Sequence, residues 1–140
     1  MSHRAKALIV TCMDFRFQDA IHDFATDLRV EGSYDFLTIP GVAKNLSRPD
    51  SEELKDYLLS SVEKSSQLHE IAKVIIINHQ DCGGYEQFED EQSEKVQHFT
   101  DLKKAGKIIE DNYPELKVKL YFANIKEKGN QREIDFEEVK

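Results

Sequence analysis

The stretch KVIIINHQDCGG at residues 73–84 joins an uninterrupted apolar run to a cluster of metal-binding residue types. The four apolar residues in a row at 74–77 lack the alternation expected of a strand with one wet face. Such a run predicts a strand covered on both faces, as in a parallel sheet. The stretch KALIVTC at residues 6–12 has the same character and predicts a second buried strand.

The rest of the chain alternates strand and helix patterns. Further strands are predicted at YDFLTIPG (34–41), LKVKLYFANI (116–125) and, beyond a turn, REIDF (132–136). Apolar residues recur at helical spacing over residues 17–28, 54–71 and 96–109. Ser47, with Asp50 three residues later and Pro49 between them, predicts the start of the second helix. We therefore predict a single α/β domain over residues 1–140, with a mainly parallel sheet of four or five strands flanked by helices.

Composition restricts the classes of partner. The 140 residues carry a formal net charge of −8. Nucleic acids and anionic membrane surfaces attract basic proteins, so neither is an expected partner. No stretch approaches the roughly 20 apolar residues that span a bilayer, and the short apolar run near Met1 predicts a strand rather than a signal peptide. Two cysteines without a targeting segment favour a cytoplasmic location, where thiols stay reduced.

Both cysteines follow predicted strands. Cys12 ends the first apolar run, His79 ends the run at 73–79, and Cys82 lies three residues further on. Ligand sites in open α/β sheets form at the carboxyl ends of strands, so these side chains converge if the two strands are neighbours. Two thiolates and one imidazole are a zinc ligand set that leaves a fourth position open, as in catalytic zinc sites.

The two cysteines also allow other interpretations. Each could be an inert buried residue, and a disulfide between Cys12 and Cys82 is geometrically possible but disfavoured in a reducing compartment. A phosphatase-type nucleophile is also disfavoured. It would need an arginine six residues after the cysteine, whereas Arg16 is four residues after Cys12 and no glycine-rich loop joins them.

Two short motifs carry a family resemblance. CMDFR (12–16) and HQDCGG (79–84) resemble the paired C-x-D-x-R and H-x-x-C-G signatures of the β-class carbonic anhydrases. The likeness in layout runs from about residue 6 to residue 136. The sequence departs from that pattern at Phe15, where the family usually has serine, and at Asn78, where it usually has glycine.

The resemblance implies a site and a reaction. Cys12, His79 and Cys82 would hold Zn²⁺, with Asp14 and Arg16 paired beside it. Asp14 would orient the attacking water, and Arg16 would hold Asp14 away from the metal. The implied activity is reversible hydration of CO₂ to bicarbonate by a metal-bound hydroxide, in a homodimer or higher homo-oligomer. Alternatives are a related hydrolase of CS₂ or COS, a zinc-binding protein without catalysis, and a purely structural role for the Asp14–Arg16 pair as a helix cap.

The sequence also predicts pocket residues and the placement of the other histidines. Candidate pocket residues are Phe15, Val42, Ala43 and Tyr85, or residues of a partner chain. The remaining histidines, namely His3, His22, His69 and His98, are predicted to lie on the surface.

Overall fold

The computed structural model describes residues 3–140, which form one five-stranded sheet with helices on both faces. The strands are β1 (Ala7–Thr11), β2 (Tyr34–Thr38), β3 (Lys73–His79), β4 (Lys117–Lys128) and β5 (Gln131–Val139). The helices are α1 (Gln18–Asp27), α2 (Lys44–Ser47), α3 (Glu52–His69) and α4 (Glu91–Asn112), and a 3₁₀ turn at Phe15–Phe17 precedes α1. The predicted α/β class is confirmed.

The sheet has the order β2-β1-β3-β4-β5. β2, β1, β3 and β4 run parallel, and β5 is antiparallel to β4. The chain winds from β1 outward to β2 and then returns to place β3 on the other side of β1. β1 and β3 are therefore neighbours with their carboxyl ends together, as the convergence of their polar residues requires.

Burial explains the two uninterrupted apolar runs. All five residues of β1 are buried, as are residues 74–79 of β3. On one face they pack against α3 and α4, through side chains such as Leu58 and Leu102. On the other face they pack against α1, through Ile21 and Ala25. Since both faces of these strands are covered, an alternating pattern would have placed polar residues in the core.

Several predicted boundaries are wrong, including the strand predicted at 34–41, which ends at Thr38. The second long helix begins at Glu52 rather than near Ser47, because the hydroxyl of Ser51 accepts a hydrogen bond from the Leu54 amide (3.2 Å) and caps it. Ser47 instead ends the short helix α2.

The last strand is also longer than the predicted 132–136. β4 and β5 form a hairpin that continues past the end of β3, from the pair Asn124–Asp135 to the pair Lys128–Gln131. Gly129, at φ 62°, makes the positive-φ turn between the two strands. The charged residues of this hairpin obscured the pattern by which its strands could be recognised in the sequence. No helix in the part of the chain that the structure describes is long and apolar enough to cross a membrane.

Candidate metal centre

Cys12, His79 and Cys82 meet at the carboxyl ends of β1 and β3. Their ligand atoms all lie within 4.8 Å of one another, and all three residues are buried. The two Sγ atoms are 4.0 Å apart. Two thiolates on one tetrahedral zinc, each bonded at about 2.3 Å, would be separated by about 3.8 Å. The group could therefore hold a metal ion with little rearrangement.

The two thiols are free, and the Cys82 thiol donates a hydrogen bond to the sulfur of Cys12. The hydrogen bond from Cys82 lowers the pKa of Cys12 to about 4, with further help from His79 and the Asp14 backbone and against the opposing effect of burial. The same hydrogen bond and burial raise the pKa of Cys82. A bound metal ion would hold both sulfurs as thiolates.

The imidazole of His79 is oriented for metal binding. Its Nδ1 lies 2.7 Å from the carbonyl oxygen of Gln80 and donates to it, which leaves the lone pair on Nε2. Nε2 is buried and has no hydrogen-bond partner within residues 3–140. The ring packs on Phe17, with centroids 4.2 Å apart. A buried nitrogen acceptor without a donor is unfavourable unless a ligand fills the gap, so this atom fits a metal.

Asp14 and Arg16 form a bidentate ion pair beside these residues. Arg16 Nη2 lies 2.8 Å from Asp14 Oδ2, and Arg16 Nε lies 3.1 Å from Oδ1. The same guanidinium reaches Asp81, donating to its carboxylate (3.1 Å) and its carbonyl oxygen (3.0 Å). These contacts tie the loop after β1 to the loop after β3.

Asp14 faces two ways. Its Oδ1 accepts from the Arg16 amide (3.0 Å), which is the helix-capping contact. Its Oδ2 lies 3.9 Å from His79 Nε2, which places the carboxylate beside the candidate metal position. The hydrogen bond from Arg16 lowers the pKa of Asp14 to about 2, so this group is a carboxylate at any physiological pH. The capping role and a role at the site are therefore compatible.

An open cavity of about 750 Å³ lies next to this pair. Tyr85 lines it, as predicted, together with Cys82 and Asp14. The other predicted pocket residues do not line it. Val42 and Ala43 are buried in the core, and Phe15 is 77% exposed, with the guanidinium of Arg132 5.4 Å from its ring centroid.

Comparison with known sequences agrees with this geometry. A family model described as "Putative carbonic anhydrase" matches residues 2–134. The chain belongs to this family.

Individual relatives add no assigned function. The chain is 28% identical over 122 residues to an uncharacterized protein of Rickettsia conorii and 29% identical over 122 residues to one of Rickettsia bellii. Each match covers 83% of this chain, and 66% and 74% of the respective relative. The chain thus spans about two thirds of the length of the first of them.

A departure from the carbonic anhydrase pattern has a structural explanation. Asn78, which stands where β-class enzymes usually have glycine, is 1% exposed and precedes His79. Its Oδ1 accepts from the Ala43 amide (3.2 Å), and its Nδ2 donates to the Tyr85 hydroxyl and to Nδ1 of His98 (both 2.9 Å). All the polar atoms of this buried amide are bonded, so the substitution adds a brace behind the candidate ligand His79.

The prediction that His98 lies on the surface is wrong, since this residue is 0% exposed and stacks on Tyr85 at a centroid distance of 3.8 Å. Burial lowers the pKa of His98 to about 3, so the ring is neutral. A sequence signal existed, because position 98 lies on the helical face that carries Leu102, Ala105 and Ile109. His3 and His22 are exposed as predicted, and His69 is half-buried beside Asp35.

Asp101 is a buried anchor that the sequence did not reveal. It is 0% exposed and accepts hydrogen bonds from Tyr85 (2.8 Å), Arg48 (2.9 Å) and Ser47 (2.7 Å). Burial would raise the pKa of Asp101, but these hydrogen bonds hold it below its usual value. Since Tyr85 also contacts Asn78, the anchor connects α4 to the segments that carry His79 and Cys82.

Proposed function

We propose that this chain is a zinc-dependent carbonic anhydrase, which catalyses the reversible hydration of CO₂ to bicarbonate. The observation that carries the proposal is the buried, unpartnered Nε2 of His79 beside two free thiols, at the strand ends where the family signature occurs. Cys12, His79 and Cys82 would hold the ion. When bound, it would supply the Lewis acidity that makes water a nucleophile near neutral pH.

The roles of Asp14 and Arg16 follow from their contacts. Asp14 remains ionised, so it is available to accept a hydrogen bond from the reacting water and orient it. Arg16 holds both oxygens of Asp14 and thereby keeps the carboxylate from moving onto the metal as a fourth ligand. The open cavity beside Asp14 supplies the path by which a small molecule would arrive.

Stopped-flow CO₂ hydration with a pH indicator tests the proposal. Zinc-loaded protein should contain about one zinc per chain and should accelerate hydration. Activity should increase with pH, because the reactive form of the water is the deprotonated one. Two thiolate ligands acidify water less than three histidines do, so the midpoint is expected above about 7.

Variants separate metal loss from catalysis. Cys12→Ser should empty the site, whereas Asp14→Ala should retain zinc and lose about 10–100-fold in rate. Asp56→Ala, which removes an exposed carboxylate of α3, is the matched control and should change neither property. Fully metallated wild type without acceleration up to about pH 9 would overturn the proposal. Assays with CS₂ and COS would then distinguish a related hydrolase from a zinc protein without catalysis.

We also propose that residues 1–140 act as one domain, that the chain assembles as a homodimer or higher oligomer, and that it works in the cytoplasm. Support for assembly comes from β2, an outer strand of the sheet whose Phe36 is 37% exposed. Light scattering tests the assembly, and a monomer at micromolar concentration would contradict it.

A further inference from the structure

Almost all the charged residues that line the cavity at the candidate metal centre are acidic. Among the described residues, six carboxylates line the cavity, and Arg16 is the only basic residue that does so. They are Asp14, Asp81, Glu86, Asp90, Glu91 and Glu94. Such a wall sets the sign of the electrostatic potential that an entering molecule meets.

Ion pairs neutralise only part of this wall. Arg16 is shared between Asp14 and Asp81, and Glu86 pairs with Arg48 at 2.9 Å. The other three acids lie at the start of α4 and have no salt bridge in the part of the chain that the structure describes. Hydrogen bonds hold all three in place, and Glu91 accepts from the Gln80 side-chain amide (3.4 Å). Asp90 accepts from the Ser93 amide (2.7 Å), and Glu94 accepts from the Asp81 amide (2.6 Å).

The acidic wall and the candidate metal position share one carboxylate. Asp14 lines the cavity, and its Oδ2 is 3.9 Å from the unpartnered Nε2 of His79, which is 2% exposed. A molecule that approaches His79 Nε2 from the cavity therefore passes the acids. Zinc held by two thiolates would be formally neutral and would not offset their charge.

We propose that the acidic wall, and above all Glu91 and Glu94, makes the site selective for small neutral molecules over anions. This inference rests on the proposed function and refines its substrate class. A neutral linear molecule such as CO₂ enters without electrostatic cost, whereas bicarbonate, azide or thiocyanate meets charge of its own sign along the cavity. The wall lowers the affinity of the site for bicarbonate, whether bicarbonate is the product of hydration or the substrate of dehydration. The equilibrium between CO₂ and bicarbonate in solution is unchanged.

The experiment measures anion binding directly. Cobalt(II) replaces zinc, and azide binding is followed by the visible absorption of the cobalt. The double variant Glu91→Gln, Glu94→Gln removes two charges and leaves each side chain one oxygen to accept from Gln80 or from the Asp81 backbone. The matched control Glu63→Gln, Glu110→Gln removes two charges from exposed positions on α3 and α4, away from the cavity.

The expected result is tighter azide binding in the double variant by roughly threefold to fivefold, from two unit charges at about 10 Å in water at low salt. The control should bind azide as wild type does. Imidazole at alkaline pH, a neutral ligand, should bind wild type and double variant equally. Equal azide affinity in all three proteins, or no azide binding in any of them, would overturn the inference.

The readout is independent of turnover. Tighter azide binding in the double variant without CO₂ hydration would refute the proposed function and leave the electrostatic selection in place. CO₂ hydration together with unchanged azide affinity would support the proposed function and refute the electrostatic selection.

Discussion

A methyl group added at Gly84 should test how closely the loop after β3 must approach the loop after β2. A Cβ there would lie 2.4 Å from the backbone nitrogen of Gly41 and 2.8 Å from its Cα. Ordinary contact begins near 3.4 Å, so the two loops would have to separate by about 1 Å. The obstacle is backbone, and Gly41 is itself held at φ 81°, so no side chain can move aside.

The expected cost of Gly84→Ala has two parts. Forcing a methyl group into a packed contact costs about 1–3 kcal/mol of unfolding free energy. Cys82 lies two residues earlier on the displaced loop, so its Sγ would move relative to His79 and Cys12. Metal–ligand distances tolerate only about 0.2 Å, and disturbance of the support around a metal site commonly lowers metal affinity by about 10–100-fold.

Gly83→Ala is the matched control. A Cβ on Gly83 has no neighbouring atom within 4 Å, and its φ is not positive. Zinc affinity is measured by competition with a chromophoric chelator, and stability by urea unfolding of the metal-free protein. Gly83→Ala should match wild type in both. If Gly84→Ala also binds zinc with wild-type affinity and unfolds at the wild-type urea concentration, the close approach of the two loops does not determine the site.

Two further variants test the ion pairs. Arg16→Ala should retain zinc but free Asp14 to approach the ion, and X-ray absorption should detect one more oxygen ligand than in wild type; identical coordination would make the pair purely structural. Asp101→Asn should cost about 1.5–3 kcal/mol at pH 7, because it weakens hydrogen bonds to a charged, buried acceptor. Since the pKa of Asp101 is held below its unfolded value of about 3.9, this difference should shrink as the pH falls below about 4. Urea unfolding at pH 7 and pH 3 measures it, Asp111→Asn on the exposed side of α4 is the control, and an equal loss at both pH values would contradict the assignment.

The parallel core and the meeting of Cys12, His79 and Cys82 could be predicted because each depends on a local pattern. Uninterrupted apolar runs identify strands covered on both faces, and polar residues directly after them lie at the carboxyl ends. The adjacency of β1 and β3 then follows from a single reversal of winding after β2. The two short motifs were enough to predict the site because both lie at the ends of strands.

The supporting contacts could not be predicted because they join segments distant in the sequence. Asp101 receives hydrogen bonds from Arg48 and Ser47, more than 50 positions away. In sequence it appears as one more acid on a charged helix, and only the packing of α2 against α4 shows that it is buried. Ser47 was assigned to a helix start by its type and spacing, but Ser51, four residues later, forms the cap.

The contacts behind His79 show what a buried amide at position 78 requires of its neighbours. An amide at position 78 must bury a carbonyl oxygen and two N–H groups, which is unfavourable unless each finds a partner. The Ala43 amide, the Tyr85 hydroxyl and His98 Nδ1 provide them. Because His98 Nδ1 accepts from Asn78, its proton must lie on Nε2, and a protonated ring would place two donors against each other. Burial lowers the pKa of His98 and so keeps the ring in the neutral form that this hydrogen bond requires. An aliphatic residue at position 98 would leave one Asn78 N–H unsatisfied, so these positions are constrained to change together.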